Sequence, residues 1–398
     1  MKNLSETFSS LKVHNYRLYF AGQAASLCGN WMQTLALSWL VLQLTGSGTA
    51  LGLVVALQFL PILIFGAWGG VIADRYNKRT LLYLTQSAFA VLALLLGILV
   101  ATNLVQLWMV YVIAVAIGLV NAVDNPTRQT FVVEMVQKEQ LPNAVTLNAT
   151  QLNAARIVGP AIAGILIATI GIAWCFILNG ISFIGLIIAL LLMRTSELHT
   201  VRDRTAKLLK GFRYILSTPV LWTTLLMVAI VGTFSYEFIV SLPLLAQFTF
   251  HGDASTYAAL NIAMGLGALI GGLLTATRMN VTPKMLAYNS FFFGLCILLA
   301  SVMPTFHLEL FALVLVGIFS ISMVSISIVI LQLNSEPNMR SRVMSLWTVA
   351  FLGSTPIGGP IIGWIGEHLS PRWCLVTGGT AAISAAFLGY LLLKNGKE

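Results

Sequence analysis

Apolar runs of roughly 20 to 30 residues, long enough to cross a bilayer as helices, follow one another along the chain. Bounded by charge, Gly or Pro, they fall near 17–45, 49–73, 80–101, 105–127, 143–169 and 172–194, then near 218–249, 254–278, 283–303, 308–334, 342–367 and 372–393. Only a helix satisfies its own backbone hydrogen bonds in hydrocarbon, and these runs far exceed barrel strands of about 10 residues. The pattern predicts an all-α membrane protein with 12 transmembrane helices. The first run, from Leu18 to Leu44, is longer than the roughly 7 to 15 residues of a signal-peptide core, so it is expected to remain as a span.

The one long polar stretch, Thr195 to Thr218, lies at mid-chain. Within it, Ala206 to Leu216 places Leu209, Phe212 and Leu216 on one helical face and Lys207, Lys210 and Arg213 elsewhere, which predicts an amphipathic helix on the membrane surface. Gly159-Pro160 recurs as Gly359-Pro360, and Gly69-Gly70 recurs as Gly271-Gly272, both near half the chain length. The expected organisation is two pseudo-symmetric six-helix bundles, 1–194 and 218–398, joined by a linker at 195–217. Duplicated halves around a midplane site are the layout of secondary transporters.

Composition narrows the class further. Of 398 residues, 58% are hydrophobic and 9% charged, against about a quarter charged in a soluble domain. That excludes a water-soluble globule and leaves little chain for a catalytic domain. The net charge of +9 lies in short loops rather than on one basic face, so nucleic acid is not an expected partner. Twenty of the 22 Lys and Arg fall at the termini or in even-to-odd loops, leaving Arg372 on the other side and Arg156 inside a span. By the positive-inside rule both termini are cytoplasmic. Cys28, Cys175, Cys296 and Cys374 sit inside apolar runs, and the histidines have no metal spacing; neither a metal nor a cofactor is expected.

Between spans 2 and 3 the chain reads Gly70-Val-Ile-Ala-Asp-Arg-Tyr-Asn-Lys-Arg-Thr-Leu-Leu82. This resembles the cytoplasmic loop signature of the major facilitator superfamily, Gly-x-Leu-Ala-Asp-Arg-x-Gly-Arg-Arg. Gly70, Asp74, Arg75, Lys78 and Arg79 match by residue or charge, and Asn77 replaces the second Gly. Asn tolerates positive φ, so the tight turn is expected to survive. The resemblance implies that Asp74 holds the N-terminal end of span 11 in the outward-facing state, where a carboxylate is favoured by unpaired N–H groups and the helix dipole. The second half, Gly272 to Asn280, has no Asp at the matching place, so the latch is expected to be one-sided.

On span 5, Ala155-Arg156-Ile-Val-Gly159-Pro160-Ala-Ile-Ala163-Gly164 resembles the exporter pattern of the same superfamily, with Gly159, Pro160 and Gly164 in register and Ala155 in place of the first Gly. Asp124-Asn-Pro126-Thr-Arg128, Asn153-x-x-Arg156 and Lys210-Gly-Phe-Arg-Tyr214 are similar to the macrolide-efflux and enterobactin-exporter branch. That branch implies drug:proton antiport across a bacterial inner membrane. It specifies the fold strongly and the substrate weakly.

Charges within a span are costly and serve as default functional candidates. Arg156 lies roughly 20 Å into span 5 at 1.5 Å per residue, with Asn153, Gly159 and Pro160 at helical spacings from it. It is either a cavity residue or a structural Arg bonded to carbonyls. Glu237 is read as the only acid inside a span, flanked by Thr233 and Ser241 four residues away on the same face. Desolvation disfavours the charged form of a carboxyl, the property a proton carrier needs; the alternative is a permanently satisfied partner of Arg156 or Tyr236. Asp124 is expected to close span 4 at the cytoplasmic surface, pairing with Arg128 or Arg75 or else carrying protons. Asn30 and Trp31 on span 1 and Tyr236 on span 7 join Asn153, Arg156 and Glu237 as expected cavity-lining groups, a mixed wall suited to an amphiphilic organic substrate.

No phosphate loop or hydrolase motif is present, so the sequence predicts a transporter and not an enzyme. The expected activity is secondary active export of small amphiphilic compounds such as drugs or siderophores, as a monomer in the lipid bilayer, exchanged for protons. A lipid or metabolite carrier without proton coupling and a non-transporting membrane sensor are the alternatives.

Overall fold

The computed structural model describes residues 9–395 except 138, 199–213, 277–280 and 337–338. All regular structure among these residues is helical. Spans 1 to 6 are His14–Thr45, Gly48–Arg75, Lys78–Ala101, Leu107–Met135, Leu141–Thr169 and Ala173–Leu191. Span 7 runs Pro219–Thr249, followed by Ala254–Ala276, Pro283–Ser301 and Phe306–Leu333; span 11 is Arg340–Phe351 with Thr355–His368, and span 12 is Pro371–Asn395. Eleven of these pass as membrane-spanning by length and hydropathy among the described residues. Span 1 falls short because Asn30, Gln33 and Gln43 interrupt its apolar run.

Lipid tails are as apolar as Leu, so the outward faces are hydrophobic too, as on span 3, where Leu84, Val91 and Ile98 repeat every seven residues and are exposed. By contact, the chain forms two compact units. One contains Met1–Leu40 and Leu60–Arg204, the other Val41–Phe59 and Thr205–Glu398. In the first, Tyr16, Tyr19, Leu82, Phe131, Leu186 and Leu190 form a buried cluster, and Phe89 stacks on Phe183 at 5.5 Å. In the second, Ile215, Leu221, Leu331 and Val343 are buried together beside Tyr214 and Trp222. Most of the expected amphipathic helix, including Lys207, Lys210 and Arg213, lies outside the described residues.

Span 4 continues to Met135, past the 127 read from hydropathy. Asp124 is therefore inside the helix and 2% exposed rather than at its surface end. Pro126 sits within the span and cannot donate to Ala122 O. That freed carbonyl meets span 2: a Cβ on Gly69 would lie 1.8 Å from Ala122 O, so only Gly permits the approach.

Two spans read as continuous are broken. Span 7 is a helix Pro219–Phe234 and a second helix Phe238–Leu244, which passes into a wider turn at Leu245–Thr249. Span 11 stops at Phe351 and resumes at Thr355. Pro356 accounts for the second break, since it lacks an N–H and its ring crowds the preceding turn. The first has no Gly or Pro beside it. It is held by tertiary contacts, chiefly Ser235 Oγ donating to Gly378 O at 2.6 Å.

Candidate transport site

The loop between spans 2 and 3 is fixed within the first unit by its basic residues. Lys78 Nζ lies 2.7 Å from Glu134 Oε1, with both side chains at most 5% exposed. Arg79 donates through Nε to Leu190 O at 2.8 Å and through Nη2 to Leu191 O at 3.1 Å, closing the orphan carbonyls at the end of span 6. Arg75 is exposed, Asp74 and Gly70 half-buried. Asn77 does not use positive φ. Its φ is −64°, and its side chain accepts from Thr80 N, so it is an N-cap of span 3, which corrects the expected turn.

Beside this loop, Asp124 is enclosed by donors: Thr85 Oγ1 at 2.6 Å, Gln86 Nε2 at 2.7 Å and Arg128 Nε. Arg128 Nη2 also reaches Gln86 Oε1 at 2.8 Å. The Asp124 pair with Arg128 is one turn along the same helix. Sequence alone carries no signal for Glu134, Thr85 and Gln86, because Glu134 lies beyond the apolar run of span 4 and the other two are single polar positions in an apolar run.

Higher in the first unit, the guanidinium carbon of Arg156 sits 4.9 Å from the Trp31 ring centroid. Small residues of span 5 allow this: Gly159 faces the Trp31 Cβ and Cys28 O of span 1, and Gly159, Pro160 and Gly164 are all buried. Asn30, Trp31, Asn153 and Arg156 are half-buried, and Asn179 Nδ2 donates to Gln33 Oε1 at 2.7 Å nearby on span 1. A guanidinium lying over an indole face is oriented by cation–π attraction and recognises planar anionic oxygen groups.

In the second unit, Glu237 occupies the break of span 7 and is the N-cap of the helix Phe238–Leu244. It is 4% exposed, with Thr355, the first residue of the resumed span 11, as its hydrogen-bonding neighbour. Among the described residues Oε1 accepts no hydrogen bond. Thr233 O is freed where the first helix ends, and it too is met by a glycine: a Cβ on Gly358 would lie 1.8 Å from Thr233 O and 2.9 Å from Glu237 Oε1. The break removes the helical spacing that puts Thr233 on one face with Glu237, whereas Ser241, whose N–H bonds Glu237 O at 2.9 Å, stays one turn along the second helix. Tyr236 packs against Phe351, Phe293 and Phe238 at 4.8, 5.6 and 6.0 Å between centroids.

Glu237 is not the only acid within a span. Glu134 lies in span 4, and Glu309 is 1% exposed in the first turn of span 10. Glu367 is in the last turn of span 11. Arg372, at the start of span 12, donates to Ser301 O and Met303 O at 3.0 and 2.8 Å.

Two sets of six helices, buried charges and interrupted spans define a transporter of the major facilitator class. The chain belongs to the transmembrane secretion effector family, whose profile matches residues 5–397. It is an integral membrane transporter and not an enzyme. It is similar to the staphyloferrin A transporter of Staphylococcus aureus, with 28% identity over 86% of this chain and 87% of that one. Similarity to the enterobactin exporter EntS of Shigella flexneri is 26%, over 97% and 91% of the two chains. Among solved structures, a bacterial homologue of the lysosomal transporter Spinster, inward-facing and occupied, superimposes with TM-score 0.73 at 15% identity, covering 95% of this chain and 96% of that one. A bacterial homologue of ferroportin, inward-facing, gives 0.72 at 14%, covering 96% and 98%. These structures share the fold.

Proposed function

We propose that this chain is a secondary active exporter of small amphiphilic organic compounds, a siderophore or a drug, exchanged for protons by alternating access. It works as a monomer in a bacterial inner membrane, with both termini cytoplasmic. The observation that carries the reading is Glu237, a buried carboxyl set where spans 7 and 11 both interrupt. Irregular backbone at membrane depth is tolerated where it serves a site, and an uncompensated buried carboxylate is costly. Gaining or losing a proton there changes the energy of the closed packing around Gly358, which is what coupling requires.

Substrate falls to the first unit in this reading. Arg156 over Trp31, with Asn30 and Asn153, offers a planar cation and amide groups to an anionic, partly aromatic compound. Relatives named for staphyloferrin A and enterobactin support a siderophore. Asp124, held by Arg128, is a secondary candidate for the proton path.

The test is uptake into inverted vesicles under an imposed pH gradient, screening siderophores and drugs and comparing the parent with Glu237→Gln. The variant is expected to lose uphill transport while retaining substrate binding or downhill exchange. A full gradient built by Glu237→Gln would remove proton coupling from this residue.

A further inference from the structure

Glu367, at the end of span 11, is tied to the start of span 2. Its Oε2 accepts from Ser47 Oγ at 2.7 Å and from the backbone N–H of Thr49 at 2.8 Å. Ser47 is itself the cap of span 2, since its Oγ accepts from Ala50 N at 3.1 Å and its carbonyl from Leu51 N at 3.2 Å. The carboxylate thus sits at a helix N-terminus, where N–H groups are orphaned and the dipole favours negative charge. The contact spans about 320 positions of sequence. It coincides with the grouping of Val41–Phe59 with the second unit, although the remainder of spans 1 and 2 belongs to the first.

We infer that Glu367 is a positioning residue of the transport cycle, a latch that holds span 11 to span 2 at the membrane face opposite the Asp74 loop. Glu367 lies in the last turn of span 11 and meets the N-terminal end of span 2, whereas Asp74 lies in the last turns of span 2, at its other end. A carboxylate bound by a hydroxyl and an N–H at an exposed helix end is strong enough to bias a conformational equilibrium and weak enough to be released during turnover.

The latch rests on the alternating-access reading, and its test separates the two. Spin labels at the exposed positions Gln43 and Leu369 in the full chain, reconstituted in nanodiscs, report the distance between the outer ends of spans 1 and 11. Glu367→Gln, an isosteric change at an exposed site, is expected to raise the open-to-closed ratio roughly 3- to 10-fold, the size of a helix-terminus charge with its hydrogen bonds. Ser47→Ala is expected to raise it less, and the double variant no further than Glu367→Gln alone, because both act on one contact. A parent that exchanges between distances while Glu367→Gln leaves the distribution unchanged, or a strictly additive double variant, overturns the latch alone. A parent with one invariant distance overturns alternating access and the latch with it.

Discussion

The Arg156 guanidinium lies over the Trp31 ring, 4.9 Å from its centroid. Lysine keeps the charge but loses the planar stack, so Arg156→Lys should weaken substrate binding by about 3- to 30-fold, corresponding to about 0.5–2 kcal/mol of cation–π and fork geometry. Calorimetric titration of purified protein with a transported compound measures it. Binding equal to the parent would make Arg156 a structural group only.

The Lys78 pair with Glu134 is buried on both sides. Glu134→Gln removes the buried counter-ion of Lys78, so it should cost about 3–5 kcal/mol and lower the unfolding temperature in detergent. The apolar double replacement Lys78→Met with Glu134→Leu should recover most of that loss. Equal instability of single and double variants would argue against the pair.

Asp124→Asn strips the charge facing Arg128 while preserving shape. It should destabilise the protein by about 3–5 kcal/mol, because Arg128 would keep its burial without its counter-ion. Loss of uphill transport with stability unchanged would instead put Asp124 in the proton path.

At Gly358, alanine must displace Thr233 O or the Glu237 carboxyl. Gly358→Ala is expected to lower stability by about 1–3 kcal/mol, as overpacking does, and to impair transport. The neighbouring exposed Ile361 provides the control, since Ile361→Val should leave both measurements near the parent.

Asp74→Asn should weaken the outward-facing state by about 1–2 kcal/mol, the worth of a partly buried charge at a helix terminus. Distances between labels on the cytoplasmic face would then lengthen on average. Unchanged distances and transport would remove the proposed role.

The number, order and lipid-facing character of the spans were legible in the sequence because a bilayer imposes one rule on every segment: an apolar run must be helical and of a set length. Local motifs were legible for the same reason of proximity in the chain, as with Lys78 and Arg79 beside Asp74, Gly159 beside Arg156, and Asp124 one turn from Arg128. The tertiary structure decided what depends on partners distant in sequence. Hydropathy could not show that span 4 continues through Glu134, because Arg128, which ends the apolar run, is neutralised by Asp124 one turn back, and Glu134 beyond it by Lys78 from another helix. Nor could it show the break at Glu237, which has no Gly or Pro to announce it and is held by Ser235 bonding Gly378 O. Glu367 carried no signal as an acid at the end of a span, since its meaning lies in Ser47 and Thr49 at the far end of the chain. Sequence sets which segments enter the membrane; packing sets which polar groups meet there, because a buried charge or free carbonyl is stable only where another helix supplies its partner.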